Sequence, residues 1–327
     1  MEHDFSKFPV GDFITGFVIG VTNVDVLDYS RGKYLQITFT DGYGVRTAKK
    51  WSYREDVDEL PIEGEAYLVE GHVKEYNGSR YLDLVNFKKA PSEFKKVLTP
   101  QSPLSEDELR NDVEAVVSKI TDASMANFTS FIFSKVGERF LTVPAAVGVH
   151  HNYQGGLAHH SLEVVEYAER VAESSNYNLN KDLIIMGALL HDIGKTKCYC
   201  IKNFAPSMTV CGKLNDHIVV GVGMLYRLMY EWCLINKITE VPKWFDYLVH
   251  IVASHHENLE WGSPVKPAFE EALIVARADN MSSSLTSMSK SIDEIDTDDG
   301  FSKKRDFKFG TFLNKPYFRE EDGNNEI

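Results

Sequence analysis

Residues 187–195 read GALLHDIGK, an apolar helical stretch that closes on the pair His191-Asp192. Asp182 to Asp192 is expected to form one helix with Ile184, Gly187, Ala188 and His191 on one side, and Gly194 reads as its stop. Working outward, ligand-type side chains recur on the apolar stripes of neighbouring helices. After the Gly155-Gly156 break, Leu157 to Ala172 places His160, Val164, Ala168 and Val171 on one face, while His159 falls with Glu163, Glu166 and Arg170 on the polar face. A helix opening near Asp216 carries His217, Val220, Gly221, Met224 and Leu228 along one stripe. Trp244 to His256 aligns Leu248, Val252 and His255 and ends in His255-His256. From Phe269 onward, Ala272, Val275, Ala276 and Asp279 share a face.

The order His160, His191-Asp192, His217, His255-His256, Asp279 mixes imidazoles with carboxylates, a donor set that suits divalent transition metals, and a carboxylate can bridge two ions. Two neighbouring ions form a clamp for phosphoester hydrolysis, supplying hydroxide and neutralising charge on phosphorus. Burying this many ionisable groups without metals would cost several kcal/mol per unpaired charge. The set is therefore expected to hold metal.

Upstream, Phe13 to Asn86 alternates in short strands separated by turn signals at Ser30-Arg31-Gly32, Asp41-Gly42 and Asn77-Gly78. In one strand Tyr34, Gln36, Thr38 and Thr40 lie on one side and Leu35, Ile37 and Phe39 on the other. Five such strands fit a small all-β OB-type barrel followed by an all-α domain. The expected division is a barrel at 1–88, a linker at 89–112 with Pro91, Pro100 and Pro103, a helical domain at 113–290 and a tail at 291–327. Ser105 and Glu108 form a capping-box signature, and a hairpin with buried thiols is expected between Lys197 and Leu214. The barrel intersperses Tyr34, Tyr43, Trp51, Tyr53, Tyr76 and Tyr81 with Arg46, Lys49, Lys50, Lys74 and Arg80. Such aromatics stack on bases while the cations track phosphates.

The series H…HD…H…HH…D resembles the HD-domain phosphohydrolase superfamily in its two-metal form. The flanks GGLAHHSLEVVEYA (155–168), SHHENLEWGSP (254–264) and ADNMSS (278–283) narrow the resemblance. With YLQITFTDGYGVRTAKKW (34–51), GHVKEYNGSRYLDL (71–84) and the tail around FLNKPYF (312–318), they look like the YhaM family of bacterial 3′→5′ exoribonucleases. That resemblance implies one ion held by His160, His191, Asp192 and Asp279, bridged through Asp192 to a second held by His217, His255 and His256. It implies hydrolysis of single-stranded RNA, and of single-stranded DNA as a second substrate, to nucleoside 5′-monophosphates. Manganese is the first choice of metal, with iron, cobalt and nickel as alternatives. Lys195 is expected to meet a phosphate oxygen, making Asp192 and Lys195 the catalytic pair. His150, His151 and Trp261 are further candidates for substrate contact.

Composition agrees with a globular protein of two domains: 327 residues, 25% charged. No 18-residue apolar run is read in the chain, so neither a membrane span nor a membrane partner is expected, and the N-terminal residues do not read as a secretory signal. Four cysteines without a paired C-x-x-C spacing suit a reduced, cytoplasmic setting, and self-assembly into a homo-oligomer is compatible with all of this. The net charge of −13 argues against tight duplex binding and fits brief capture of a single strand. The competing reading is a phosphohydrolase of cyclic dinucleotides or dNTPs whose barrel is a regulatory or assembly module.

Overall fold

The computed structural model describes residues 4–76, 78–148, 151–293, 295, 297 and 299–316. His150 and the last residues of the expected tail lie outside them. Five strands, β1 (Phe13–Tyr29), β2 (Gly32–Thr40), β3 (Val45–Tyr53), β4 (Ala66–Tyr76) and β5 (Ser79–Lys89), close into a barrel in the order β1-β2-β3-β5-β4. All neighbours are antiparallel except β3 with β5. Among the described residues, closure leaves the barrel no edge strand. Leu35, Ile37 and Phe39 fill the interior with Val69, Val73 and Leu82, as the strand alternation requires. Tyr53 joins this core, although the sequence pattern groups it with the outward aromatics. Ser52 takes φ 57°, and an extra residue enters β3 between the pairs Lys33–Tyr53 and Leu35–Lys50. That bulge turns Tyr53 inward while Trp51 stays outside.

A short helix α1 (Phe94–Leu98) follows, and Leu98 packs against barrel residues Val18, Ala66 and Ala90. The capping box is formed: Ser105 and Glu108 exchange hydrogen bonds at the start of α2 (Glu106–Ser118). Leu109 and Val113 of α2 belong to the helical core, so the helical domain starts near 106, inside the stretch expected to be linker. Next come α3 (Ala123–Thr142), α4 (Gly156–Ser174) and α5 (Lys181–Leu190). Every residue of α5 from Leu183 to Leu190 is buried, the mark of a helix surrounded by others.

A single turn α6 (Lys195–Cys198) leads into the expected hairpin, β6 (Tyr199–Lys202) with β7 (Ala205–Met208), but of the thiols expected to be buried there only Cys198 is, Cys200 and Cys211 being half-buried. Then follow α7 (Val210–Asn215), α8 (His217–Asn236), α9 (Trp244–Ser254) and α10 (Glu270–Asp293), the last running past the expected boundary at 290. By length and composition α8 is apolar enough to cross a bilayer, against the expectation that no such stretch exists. Its inward stripe, including Leu225, Leu228 and Trp232, lies in the helical core. The described part of the tail returns to α10, where Lys308 Nζ donates to the Ser283 carbonyl at 2.9 Å and to Ser287 Oγ at 3.2 Å.

Candidate metal centre

Four helices and the turn after α5 converge on one buried cluster. α4 contributes His160, α10 contributes Asp279, α8 starts at His217, and the C-terminal end of α9 delivers His255 and His256. His191 caps the end of α5, with Asp192 directly after it. Gly194 follows with φ −62°, so its role is not the left-handed stop that the sequence suggests. A Cβ there would lie 1.9 Å from the His217 carbonyl oxygen. Only glycine lets the start of α8 come this close to the His-Asp turn.

Asp192 stands at the centre. Its Oδ2 lies 3.2 Å from His191 Nε2 and 3.6 Å from His160 Nε2, while its Oδ1 lies 3.2 Å from His217 Nε2 and 3.5 Å from His255 Nε2. The two oxygens thus face two different sets of imidazoles. Asp279 Oδ1 is 3.1 Å from His160 Nε2 and 3.8 Å from His191 Nε2. His217, His255 and His256 each offer a ligand atom within 4.8 Å of the others. All seven residues are brought together, and all but the half-buried His256 are fully buried.

The remaining ring nitrogens decide what this cluster can bind. His191 Nδ1 donates to the Ala188 carbonyl at 2.7 Å, His255 Nδ1 to the Val252 carbonyl at 2.8 Å and His256 Nδ1 to the Trp261 carbonyl at 2.7 Å. His217 Nδ1 pairs with the Asp216 carboxylate. A carbonyl or carboxylate can only accept, so in the neutral ring each Nε2 carries a lone pair. Those lone pairs point at one another and at carboxylate oxygens. Asp192 Oδ1, His217 Nε2 and His255 Nε2 are buried without a hydrogen-bond partner. Acceptors facing acceptors at such distances are favourable around a cation, and the N/O donor set suits a divalent transition metal.

Burial holds His160 down to about 4 and also lowers His217, His255 and His256, so these rings are neutral and ready to ligate at neutral pH. His191 moves the other way, the adjacent Asp192 outweighing its burial. Burial opposes ionisation of Asp279, yet the surrounding imidazoles hold it well below the usual carboxylate range.

Lys195 is buried, and its Nζ lies 2.6 Å from Asp192 Oδ2, so its ammonium enters the cluster through the Asp192 carboxylate. His159 turns away from the cluster, as its helical phase predicts, and its Nδ1 meets the Tyr153 hydroxyl at 2.7 Å. His151 is buried, with Nε2 3.3 Å from Glu163 Oε2. Trp261 keeps an exposed ring while its carbonyl holds His256. His250 accepts from the Ala268 amide, a structural role.

Asp216, Ser282 and Glu163 were missed by sequence reasoning. Asp216, at φ 60°, caps α8 and orients His217 at once, and such a backbone costs about 1–3 kcal/mol. Its only sequence signal is an Asp directly before a ligand histidine.

On the barrel, Tyr34 and Trp51 stack with centroids 4.7 Å apart at 26°, and Tyr29, also missed, meets Trp51 edge-on. Lys49 Nζ lies within 5.0–6.0 Å of the Tyr34, Trp51, Tyr76 and Tyr81 rings. Lys74 pairs with Asp83 on the neighbouring strand. Two expected contacts sit elsewhere. Arg80 donates to the carbonyls of Ser6 and Phe8, and Arg46 turns toward Asp41 at 3.9 Å. Both share strand parity with buried residues, Arg80 with Leu82 and Arg46 with Ala48, which keeps them off the aromatic face.

Residues 157–284 match the HD domain family. The chain is 27% identical over 301 residues to the 3′-5′ exoribonuclease YhaM of Listeria monocytogenes serotype 4b (strain CLIP80459), covering 89% of this chain and 91% of that protein. It is 28% identical to the 3′-5′ exoribonuclease YhaM of Bacillus subtilis (strain 168), covering 81% and 83%. The similarity to the 3′-5′ exoribonuclease YhaM of Oceanobacillus iheyensis, 24% identical, extends over 99% of this chain and 100% of that protein.

Proposed function

We propose that this chain, a homologue of the YhaM exoribonucleases that carries an HD domain, is a metal-dependent 3′→5′ exoribonuclease. It acts on single-stranded RNA, accepts single-stranded DNA, and releases nucleoside 5′-monophosphates. The observation that carries this reading is the convergence of histidine lone pairs on Asp192, whose two oxygens face separate imidazole sets. His160, His191, Asp192 and Asp279 would hold one divalent ion, and Asp192, His217, His255 and His256 a second, with Mn²⁺ preferred. When bound, such ions supply Lewis acidity and an activated water for attack on phosphorus.

The chain's own residues do the rest. The carbonyl and carboxylate partners at Nδ1 of His191, His217, His255 and His256 keep those four imidazoles in one tautomer. Lys195 places a fixed ammonium beside Asp192, where negative charge develops on the phosphate in the transition state. The Tyr34–Trp51 stack and Lys49 grip bases and backbone upstream of the scissile bond, with little sequence preference. Free thiols at Cys198, Cys200, Cys211 and Cys233 suit a reducing cytoplasm.

The test is incubation of the protein and Mn²⁺ with 5′-labelled single-stranded RNA, and separately with cyclic dinucleotides and dNTPs. A ladder shortening from the 3′ end is expected. Turnover of the small nucleotides alone would overturn the proposal.

A further inference from the structure

Of the five ligand histidines, His160 alone has an Nδ1 partner that can either donate or accept: Ser282 Oγ, 3.0 Å away. A serine hydroxyl does not by itself decide which ring nitrogen carries the hydrogen. The next contact does. Ser282 Oγ donates its single hydrogen to Glu163 Oε2 at 2.8 Å, and a carboxylate can only accept. Toward His160 the hydroxyl is then left as an acceptor, which draws the hydrogen to Nδ1 against the competing pull of Asp279 Oδ1, 3.1 Å from Nε2.

The spacing builds this device from two helices. Glu163 lies three residues after His160 on α4, and Ser282 three residues after Asp279 on α10, so each partner shares a face with a ligand one turn away. Ser282 and His160 are fully buried, so water does not compete for either group. His151 meets the same carboxylate oxygen, its buried ring 3.3 Å from Glu163 Oε2. It is held there by a left-handed backbone at φ 48°. Burial works against the charge on Glu163, but hydrogen bonds from His151 and Ser282 keep its carboxyl below the ordinary value.

We propose that Glu163 is a positioning residue: acting through Ser282, it locks His160 in the Nδ1–H tautomer and aims Nε2 at the metal site. This rests on the reading of His160 as a ligand. Glu163 falls on the polar face of α4 in the sequence pattern, and nothing in its spacing marks it as part of the centre.

The experiment uses full-length, chelator-treated protein labelled with ¹⁵N-histidine, with the His160 ring assigned by comparison with His160→Asn. Long-range ¹H–¹⁵N correlations then report its tautomer directly, without metal or turnover. Wild type is expected to show neutral His160 protonated on Nδ1. In Glu163→Leu the serine hydrogen is released toward His160, and the ring should move to the Nε2–H form. Glu163→Gln keeps an acceptor and should restore Nδ1–H. Ser282→Ala, with no hydroxyl, should lose the preference.

A parallel Mn²⁺ titration should show one of two sites weakened roughly 10- to 100-fold in Glu163→Leu and recovered in Glu163→Gln. Nε2–H in the wild type, or a tautomer unmoved by Glu163→Leu, would overturn the proposal. Wild-type protein with the expected tautomer but no Mn²⁺ binding would instead strike the two-ion reading and leave the positioning role standing.

Discussion

Phe204, at the tip of the β6–β7 hairpin, rests against Gly20 of the barrel so closely that a Cβ on Gly20 would lie 2.7 Å from Phe204 Cδ2. Phe204 is buried among Val18, Ala66, Ala90 and Leu98, and the adjacent Asn203 reaches Glu63 Oε2 at 3.3 Å. The hairpin starts at Tyr199, immediately after the turn that carries Lys195. A single short segment therefore joins the barrel to the neighbourhood of the metal cluster.

That contact yields the first prediction. Phe204→Ala removes a buried aromatic at a cost of about 3–5 kcal/mol in a packed site, most of it borne by the contact between the domains. Degradation of long RNA should weaken roughly tenfold, mainly through KM, because the barrel contacts bind ground and transition states alike. Hydrolysis of a small artificial phosphodiester should stay within about twofold. Equal losses on both substrates would mean that the hairpin supports the metal cluster itself.

Asp192→Ala removes the carboxylate that faces both imidazole sets. Turnover should fall below detection and elemental analysis should find both metals depleted. Retention of two metals per chain would refute the bridging assignment.

His160 and His159 differ only in helical phase, yet one lies in the cluster and the other bonds Tyr153. His160→Ala should abolish activity, while His159→Ala should keep most of it. The reverse result, measured on RNA with saturating Mn²⁺, would exclude His160 as a ligand.

The aromatic face gives a separable effect. Stacking contributes about 1–3 kcal/mol per base, so Trp51→Ala or Tyr34→Ala should raise KM for single-stranded RNA several-fold or more with kcat nearly unchanged. Lys49→Ala should also flatten the dependence of RNA affinity on salt, since fewer counterions are released. Arg80→Ala should leave that slope unchanged, because its guanidinium is spent on the Ser6 and Phe8 carbonyls.

Acid should destabilise the metal-free protein through His160. Its folded value, about 4, lies below the unfolded value near 6.5. The unfolded chain therefore binds more protons between these values, and stability is complete above about pH 6.5 and is lost as pH falls toward 4. The loss is roughly 3 kcal/mol. Melting temperatures of chelated wild type should drop across this window more steeply than those of His160→Gln. Parallel curves would contradict the burial argument.

The chain's order of residues was enough to find the seven side chains that cluster and the two architectures. Metal ligation restricts residue type, and helical phase settles which histidines turn inward; strand alternation does the same for Leu35, Ile37 and Phe39. Local signals also placed the capping box at Ser105 and the hairpin before His217. Tertiary structure alone decided the partners. Ser282 meets His160 across 122 positions of sequence, and Phe204 meets Gly20 from another domain. It also decided the exceptions to periodicity: the bulge at Ser52 that buries Tyr53, the close approach that demands Gly194, and the start of the helical domain at α2. The physical reason is range. Periodicity reports which face of an element is apolar, whereas a hydrogen bond or a close approach depends on where a second element lies, and that is set only when the whole core packs.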